Sequence, residues 1–114
     1  MGITGVGIFL GPNDASLDAL IRHIDYALNL IGPRHVGLAT DFPIDQDFNA
    51  YLLDNPQLFS ESYTRWGSIE FMPPETLLTV EAALLNRGYP AEIVTGIVGG
   101  NFRRVAADVW KIPT

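Results

Sequence analysis

Ile3-Thr4-Gly5-Val6-Gly7-Ile8-Phe9-Leu10, a break at Gly11-Pro12-Asn13-Asp14, an amphipathic run from Leu17 to Ile31, and then His35-Val36-Gly37-Leu38-Ala39-Thr40 form the stretch on which the fold turns. The first run is glycine, β-branched and aromatic without alternation, the pattern of a strand covered on both faces. Leu17, Leu20, Ile21, Ile24, Ala27, Leu28 and Ile31 recur at helical spacing, so a helix is predicted, stopped by Gly32-Pro33. A second short strand over 35–40 completes a β-α-β unit, whose strands should run parallel with a right-handed crossover. Asp41 stands just beyond the C-terminal end of that second strand.

Outward from this unit, residues 42–72 show no sustained period, yet Phe42, Phe48, Tyr51, Phe59, Tyr63, Trp66 and Phe71 make up more than half of the chain's aromatic side chains. A loop this long and this apolar is usually functional or packed against something. Pro73-Pro74-Glu75 predicts a helix start, continued through Leu77, Leu78, Ala82, Leu84 and Leu85 to a stop at Arg87-Gly88. Pro90 opens a third, short helix through Ile93, Val94 and Ile97. After Gly99-Gly100, Asn101 is suited to cap a last helix that carries Phe102, Val105, Ala106 and Val109 on one face.

Two parallel strands do not make a stable sheet with both edges open, so the chain reads as part of a larger α/β sheet. Strand, helix, strand, long aromatic loop and helices are the order expected of the last two βα units of a (β/α)₈ barrel of the TIM type, with strand ends and loops forming the active face. A flavodoxin-like half-domain is the structural alternative. Residues 1–114 are read as a single partial domain: a β-α-β unit over 1–41, an aromatic active-face loop over 42–72, and C-terminal helices over 73–114.

Seven Lys and Arg against 13 Asp and Glu give a net charge of −6 and a pI near 4.6. No broad positive field exists to attract phosphate, so neither nucleic acid nor an anionic membrane surface is an expected partner. The sequence holds no cysteine, which excludes a disulfide scaffold, a thiol nucleophile and a zinc-thiolate site. No apolar run approaches the roughly 20 residues of a membrane-spanning helix. The first residues carry no basic n-region and Val6 stands where a myristoylation signal wants Ser or Thr, so a cytoplasmic location is expected.

His23-Ile24-Asp25, followed by Gly32-Pro33-Arg34-His35-Val36-Gly37-Leu38-Ala39-Thr40-Asp41-Phe42, resembles the membrane (renal) dipeptidase family, whose corresponding stretch reads like H-I-D-H…G-x-D-H-V-G-I-G-S-D-F-D-G. Pro73-Pro74-Glu75, Asn86-Arg87-Gly88-Tyr89 and Gly99-Gly100-Asn101-Phe102-Arg103-Arg104-Val105 are similar to the family's closing helices, which carry R-G-Y and then G-G-N-x-x-R-V. The resemblance runs over nearly the whole chain in order. It implies a zinc-dependent, amidohydrolase-like (β/α)₈ barrel that cleaves dipeptides and some related amides, of which this chain is the C-terminal third, strands seven and eight with their helices. The family's binuclear zinc site uses a His-x-Asp pair, a bridging Glu and two further His on strands that precede this region. No metal ligand is therefore expected in this chain, and no zinc is expected to bind it alone.

The same resemblance places Asp41 at the family's catalytic aspartate, at the end of strand eight, which handles the proton of the metal-bridging water. Such water is already acidified, and a nearby carboxylate can take its proton and deliver it to the leaving amine. Without the resemblance, Asp41 reads as a cap of the following turn. The pattern departs at Phe42-Pro43-Ile44, where the family has F-D-G, which alters the loop beside the substrate.

His23-x-Asp25 has the spelling of a metal pair, but that pair works from a strand, where i and i+2 point the same way. On a helix the two diverge by about 200°, so both are read as structural. His35, at the N-terminal end of its strand, is assigned to the stability face. Gly5-x-Gly7 falls short of a dinucleotide fingerprint because no strand precedes it. Arg103, Arg104 and Lys111 read as a solvated face. The aromatic loop would either line a substrate pocket, with Tyr63 and Trp66 as contact candidates, or pack on a second subunit. The expected function is the C-terminal part of a dipeptidase-like metallohydrolase acting on a dipeptide or small amide, inactive as this chain alone. The alternative is a non-catalytic module that completes its sheet by homo-oligomerisation.

Overall fold

A computed structural model describes residues 1–45 and 47–111. The elements run β1 (Gly2–Thr4), α1 (Gly7–Leu10), α2 (Leu17–Ile31), a 3₁₀ turn (Pro33–His35), β2 (Gly37–Ala39), α3 (Phe48–Asp54), α4 (Glu61–Thr64), α5 (Leu77–Asn86), α6 (Ala91–Thr95) and α7 (Asn101–Val109). β1 and β2 pair in parallel, with Gly2 opposite Gly37, Ile3 opposite Leu38 and Thr4 opposite Ala39. The mixed α/β class and the parallel β-α-β unit thus match the sequence pattern.

Helix α2 forms where its signals stand. Ser16 accepts the Ala19 N–H through its hydroxyl at 3.2 Å, satisfying one of the helix's orphan donors. Gly32, at φ 86, ends it while its N–H returns to the Leu28 carbonyl, a left-handed position that suits glycine. Ala19, Leu20, Ile21, Ile24, Ala27 and Leu28 are buried against Ile3, Val36, Val80, Leu84, Val94 and Ile97 in the main core.

Three expectations are corrected. The strand predicted over Ile3–Leu10 ends at Thr4, and Val6 instead opens the helical turn α1. The cause is long-range: Gly7 donates to the Glu70 carbonyl at 2.8 Å and Val6 bridges Phe71, so a returning segment takes this backbone. The second strand is shorter than 35–40, and His35 lies in the 3₁₀ turn before it. Residues 42–72 are not structureless, because they hold α3 and α4 and build a second small core of Val6, Leu52 and Ile69, with Phe48, Phe59, Tyr63 and Phe71 packed on it.

Side chains alternate across the sheet. Ile3 and Leu38 face α2 and the main core. Gly2 and Gly37 look the other way, where the Phe102 ring lies over them with no room for a Cβ on Gly37, while Ala39 on that face is exposed. Among the described residues, each strand keeps one edge without a strand partner. The radius of gyration is 16.2 Å, above the roughly 13 Å of a compact hundred-residue domain. Val105 and Val109 on α7, and Trp110 just after it, are 50%, 69% and 79% exposed.

Gly5 is held closely at the strand end: an added Cβ would stand 2.7 Å from the Met72 Cβ and 3.2 Å from the Thr40 carbonyl oxygen. Gly5→Ala is expected to lower stability by about 1–3 kcal/mol, the usual cost of overpacking. Equal urea midpoints for the two proteins would show that this contact is not held.

Candidate active site

The residues at the C-terminal ends of β1 and β2 are brought together by backbone. The Gly5 N–H donates to the Thr40 carbonyl at 3.1 Å, and the Gly5 carbonyl accepts from the Met72 N–H at 2.7 Å. The aromatic lobe between residues 40 and 72 therefore begins and ends at this strand end, beside Asp41.

Two asparagines hold its returning segment. Asn49 donates from Nδ2 to the Ile69 carbonyl at 3.0 Å and accepts the Ile69 N–H on Oδ1 at 2.8 Å. Asn13 donates to the Ser68 carbonyl at 2.9 Å and accepts the Glu70 N–H at 2.8 Å. A side-chain amide carries the same donor and acceptor as a peptide, so each asparagine serves as a strand neighbour for one edge of an extended chain. Asn13 sits at φ 53, a left-handed conformation that asparagine tolerates. The Gly-Pro-Asn-Asp turn hinted at that conformation, but no sequence signal pointed to Asn49.

Asp41 is exposed and has φ 52, an uncommon left-handed position for a residue with a side chain. Unlike Asp14 and Asp45, whose carboxylates accept the N–H groups of Ser16 and Asp47, Asp41 caps no turn among the described residues. Immediately after it, Phe42, Asp45, Phe48, Asn49, Ile69 and Phe71 line a cavity of about 180 Å³. The rings are fixed edge to face, Phe48 on Phe71 at 5.8 Å and on Phe59 at 6.2 Å.

Tyr63 is half-buried in the aromatic cluster, edge-on to Phe9 at 6.1 Å and tilted on Phe59 at 6.4 Å. Trp66 donates its indole N–H to the Ser62 carbonyl at 3.0 Å, and the Arg65 guanidinium lies over its ring at 4.8 Å. Neither lines the cavity beside Asp41. Both are built into the lobe's own packing.

The motif residues elsewhere are occupied by one another. His23 bonds the Leu10 carbonyl through Nε2 at 2.9 Å; since a carbonyl only accepts, Nε2 carries the proton. Asp25, two residues on, instead receives Arg87 and the Tyr89 hydroxyl, so His23 and Asp25 do not converge. Asn101 does not cap α7, a further correction: it is helical itself, and its buried amide donates to the Pro33 and Val36 carbonyls, each at 2.7 Å. Arg104 completes this clamp on the Asn101 Oδ1 at 2.9 Å and the Arg34 carbonyl at 2.6 Å. These contacts lie at the N-terminal end of β2, with the strand between them and Asp41. Among the described residues no three His, Cys, Asp or Glu side chains converge as a metal site would need, and no helix is long and apolar enough to cross a membrane.

Comparison with known proteins adds three findings. The model of the membrane dipeptidase family (peptidase family M19) matches residues 1–70. The dipeptidase aclJ of Aspergillus oryzae is 34% identical over 105 residues, covering 86% of this chain and 19% of that protein; the chain thus spans about a fifth of the relative's length. No solved structure matches.

The Asp25 cluster makes stability depend on alkaline pH. The hydrogen bond to Asp25, then burial and the carboxylate's charge, push the Tyr89 phenol above its ordinary value near 10. A phenol that holds its proton more tightly when folded stabilises the fold fully below the unfolded value, and that contribution is lost as pH rises through the raised one. The urea midpoint is expected to fall more steeply above pH ~10 in the native protein than in Tyr89→Phe, relative to the unperturbed phenol pKa. Parallel curves would remove Tyr89 from the linkage.

Proposed function

This chain belongs to the membrane dipeptidase family, and on that premise we propose that it supplies the C-terminal part, strands seven and eight with their helices, of a (β/α)₈ barrel that hydrolyses the peptide bond of dipeptides. The observation that carries the reading is Asp41: an exposed carboxylate in a left-handed conformation at the C-terminal end of a parallel strand, capping no turn among the described residues, with a cavity lined from the next residue, Phe42, onward. Outliers of this kind cluster at functional sites, and strand C-termini form the active face of such barrels. The sheet face opposite α2, open beyond Phe102, supports a partner layer supplied by further strands.

The family is generally zinc-dependent, and zinc would activate water for attack on the amide. The residues of this chain do not fit a binuclear centre: His23 is held by Leu10, and His35 stands at the other end of β2. What the chain contributes is the proton carrier. Asp41 accepts a proton from the attacking water on a carboxylate oxygen and returns it to the leaving amine nitrogen. Tyr63 and Trp66 act in this reading by stiffening the lobe above the site.

In a chimera that joins these residues to the N-terminal part of a family dipeptidase, Asp41→Asn is expected to lower kcat for Ala-Ala by roughly 10²–10⁴, the span of a lost general acid–base group. Its circular dichroism should stay unchanged, since asparagine tolerates the same φ. Native-like turnover by that variant would overturn the role of Asp41.

A second reading, a module that completes its sheet by pairing with another copy, is favoured by the open strand edges and the apolar face of α7. Purified alone with zinc, the 114-residue chain should show no dipeptide turnover and should sediment above its monomer mass of 12.5 kDa. Val105→Asp should return it toward monomer. A monomeric native chain would discard the pairing, and turnover would show that the chain suffices for catalysis.

A further inference from the structure

We propose that this chain associates head to tail, the apolar, cation-flanked face of α7 in one copy seating on an acid-flanked groove at the start of the aromatic lobe in the next. The proposal rests on the second reading above, that copies of the chain pair, and names the two surfaces that meet.

The first surface is built on α7. Phe102, Val105, Ala106, Val109 and Trp110 line an open groove of about 450 Å³ together with Arg103. Phe102 and Val105 also belong to a neighbouring cleft of about 190 Å³, whose lining includes Arg34 and His35. Asp108, the one carboxylate of α7, lines neither. An exposed apolar face with a polar border marks an interaction site, and Trp and Arg are the side chains that most often carry binding energy there.

The second surface lies at the other end of β2. Pro43, Ile44, Asp45, Asp47, Phe48 and Tyr51 line an open, mostly apolar groove of about 460 Å³, and Ile44 is 92% exposed. Two carboxylates and no cation face this groove. Residues 42–72 hold five Asp and Glu against Arg65 alone, and Arg65 lies over the Trp66 ring and does not line the groove.

Charge decides which surface meets which. Pairing α7 with the lobe sets Arg103 and Arg34 toward Asp45 and Asp47 while it covers two apolar grooves, so that burial supplies the affinity and the charges fix the partner. Helix α7 begins where Asn101 grips the Val36 carbonyl, and the lobe groove begins past Thr40. The two surfaces thus stand at opposite ends of β2, and each finds its complement on another copy. A contact between unlike surfaces is heterologous and grows into rings or open chains.

Sedimentation velocity of the 114-residue chain, and of variants with native circular dichroism, tests this. Ile44→Lys and Val105→Asp, both at exposed positions, should each sediment as monomers. Their equimolar mixture should form a 1:1 pair of twice the 12.5 kDa chain mass, because each supplies the surface that the other lacks. Arg103→Glu and Asp47→Lys should each weaken association about tenfold by setting like charges together, and both substitutions in one chain should restore it. A loss of folding produces no such rescue.

If Ile44→Lys associates like the native chain while Val105→Asp does not, or if the mixture forms no pair, docking on the lobe is overturned. Association that survives both variants assigns the contact to the strand edges, overturning this proposal and leaving the second reading in force. A monomeric native chain overturns both.

Discussion

Gly5 carries one hydrogen bond to each end of the aromatic lobe, donating to Thr40 and accepting from Met72. The rest of the molecule is arranged around that pair of hydrogen bonds. It fixes the chain just past β1, turns Val6 away from the strand, and lets the Gly7 N–H donate to the Glu70 carbonyl at a place where any Cβ would stand 2.8 Å from the Asn13 backbone. Buried backbone groups need partners, and here Glu70 and Met72 supply two of them from more than sixty residues away. The second core exists because this pairing brings Ile69 and Phe71 to Val6.

The two ends of the sheet divide the labour. At the N-terminal end, the Asn101 and Arg104 side chains lock the turn that leads into β2, while on the helices Arg87 and Tyr89 lock α2 through Asp25. These side chains spend their hydrogen bonds on the protein itself. At the C-terminal end the polar groups are of two kinds, asparagines consumed in holding the lobe and aspartates directed to solvent. The proposed chemistry lies at the end where Asp41 stands exposed. The residues that identify the family thus do mostly architectural work, and a single one of them carries the proposed reaction.

Helix α2 and the parallel pairing were legible because their determinants are local: a serine, a glycine and an apolar stripe within seventeen residues. The limits of β1 were not, since Ile8 and Phe9 have strand composition and only the remote arrival of Glu70 and Phe71 ends the strand. Helices α3 and α4 escaped because they are short, and α3 fully buries just Leu52, too little to print a period. Asn13 and Asn49 left no spacing signature, their partners lying 55 and 20 residues distant. Asn101 had the right chemistry for a cap, but its amide serves carbonyls 65 and 68 residues back. Asp41 was found through its surroundings in the motif, and its backbone angle could not be read from the sequence.

Because the lobe leaves and rejoins the sheet at one residue, its closure cost depends on chain length only logarithmically. Doubling a flexible loop adds about 0.6 kcal/mol, less than the several hydrogen bonds that anchor it contribute together, at about 0.5–1.5 kcal/mol each. The strands therefore feel almost nothing of how many residues lie between Thr40 and Met72. Such a lobe can gain or lose whole turns, and with them reshape the cavity it encloses, while Asp41 keeps its place at the strand end.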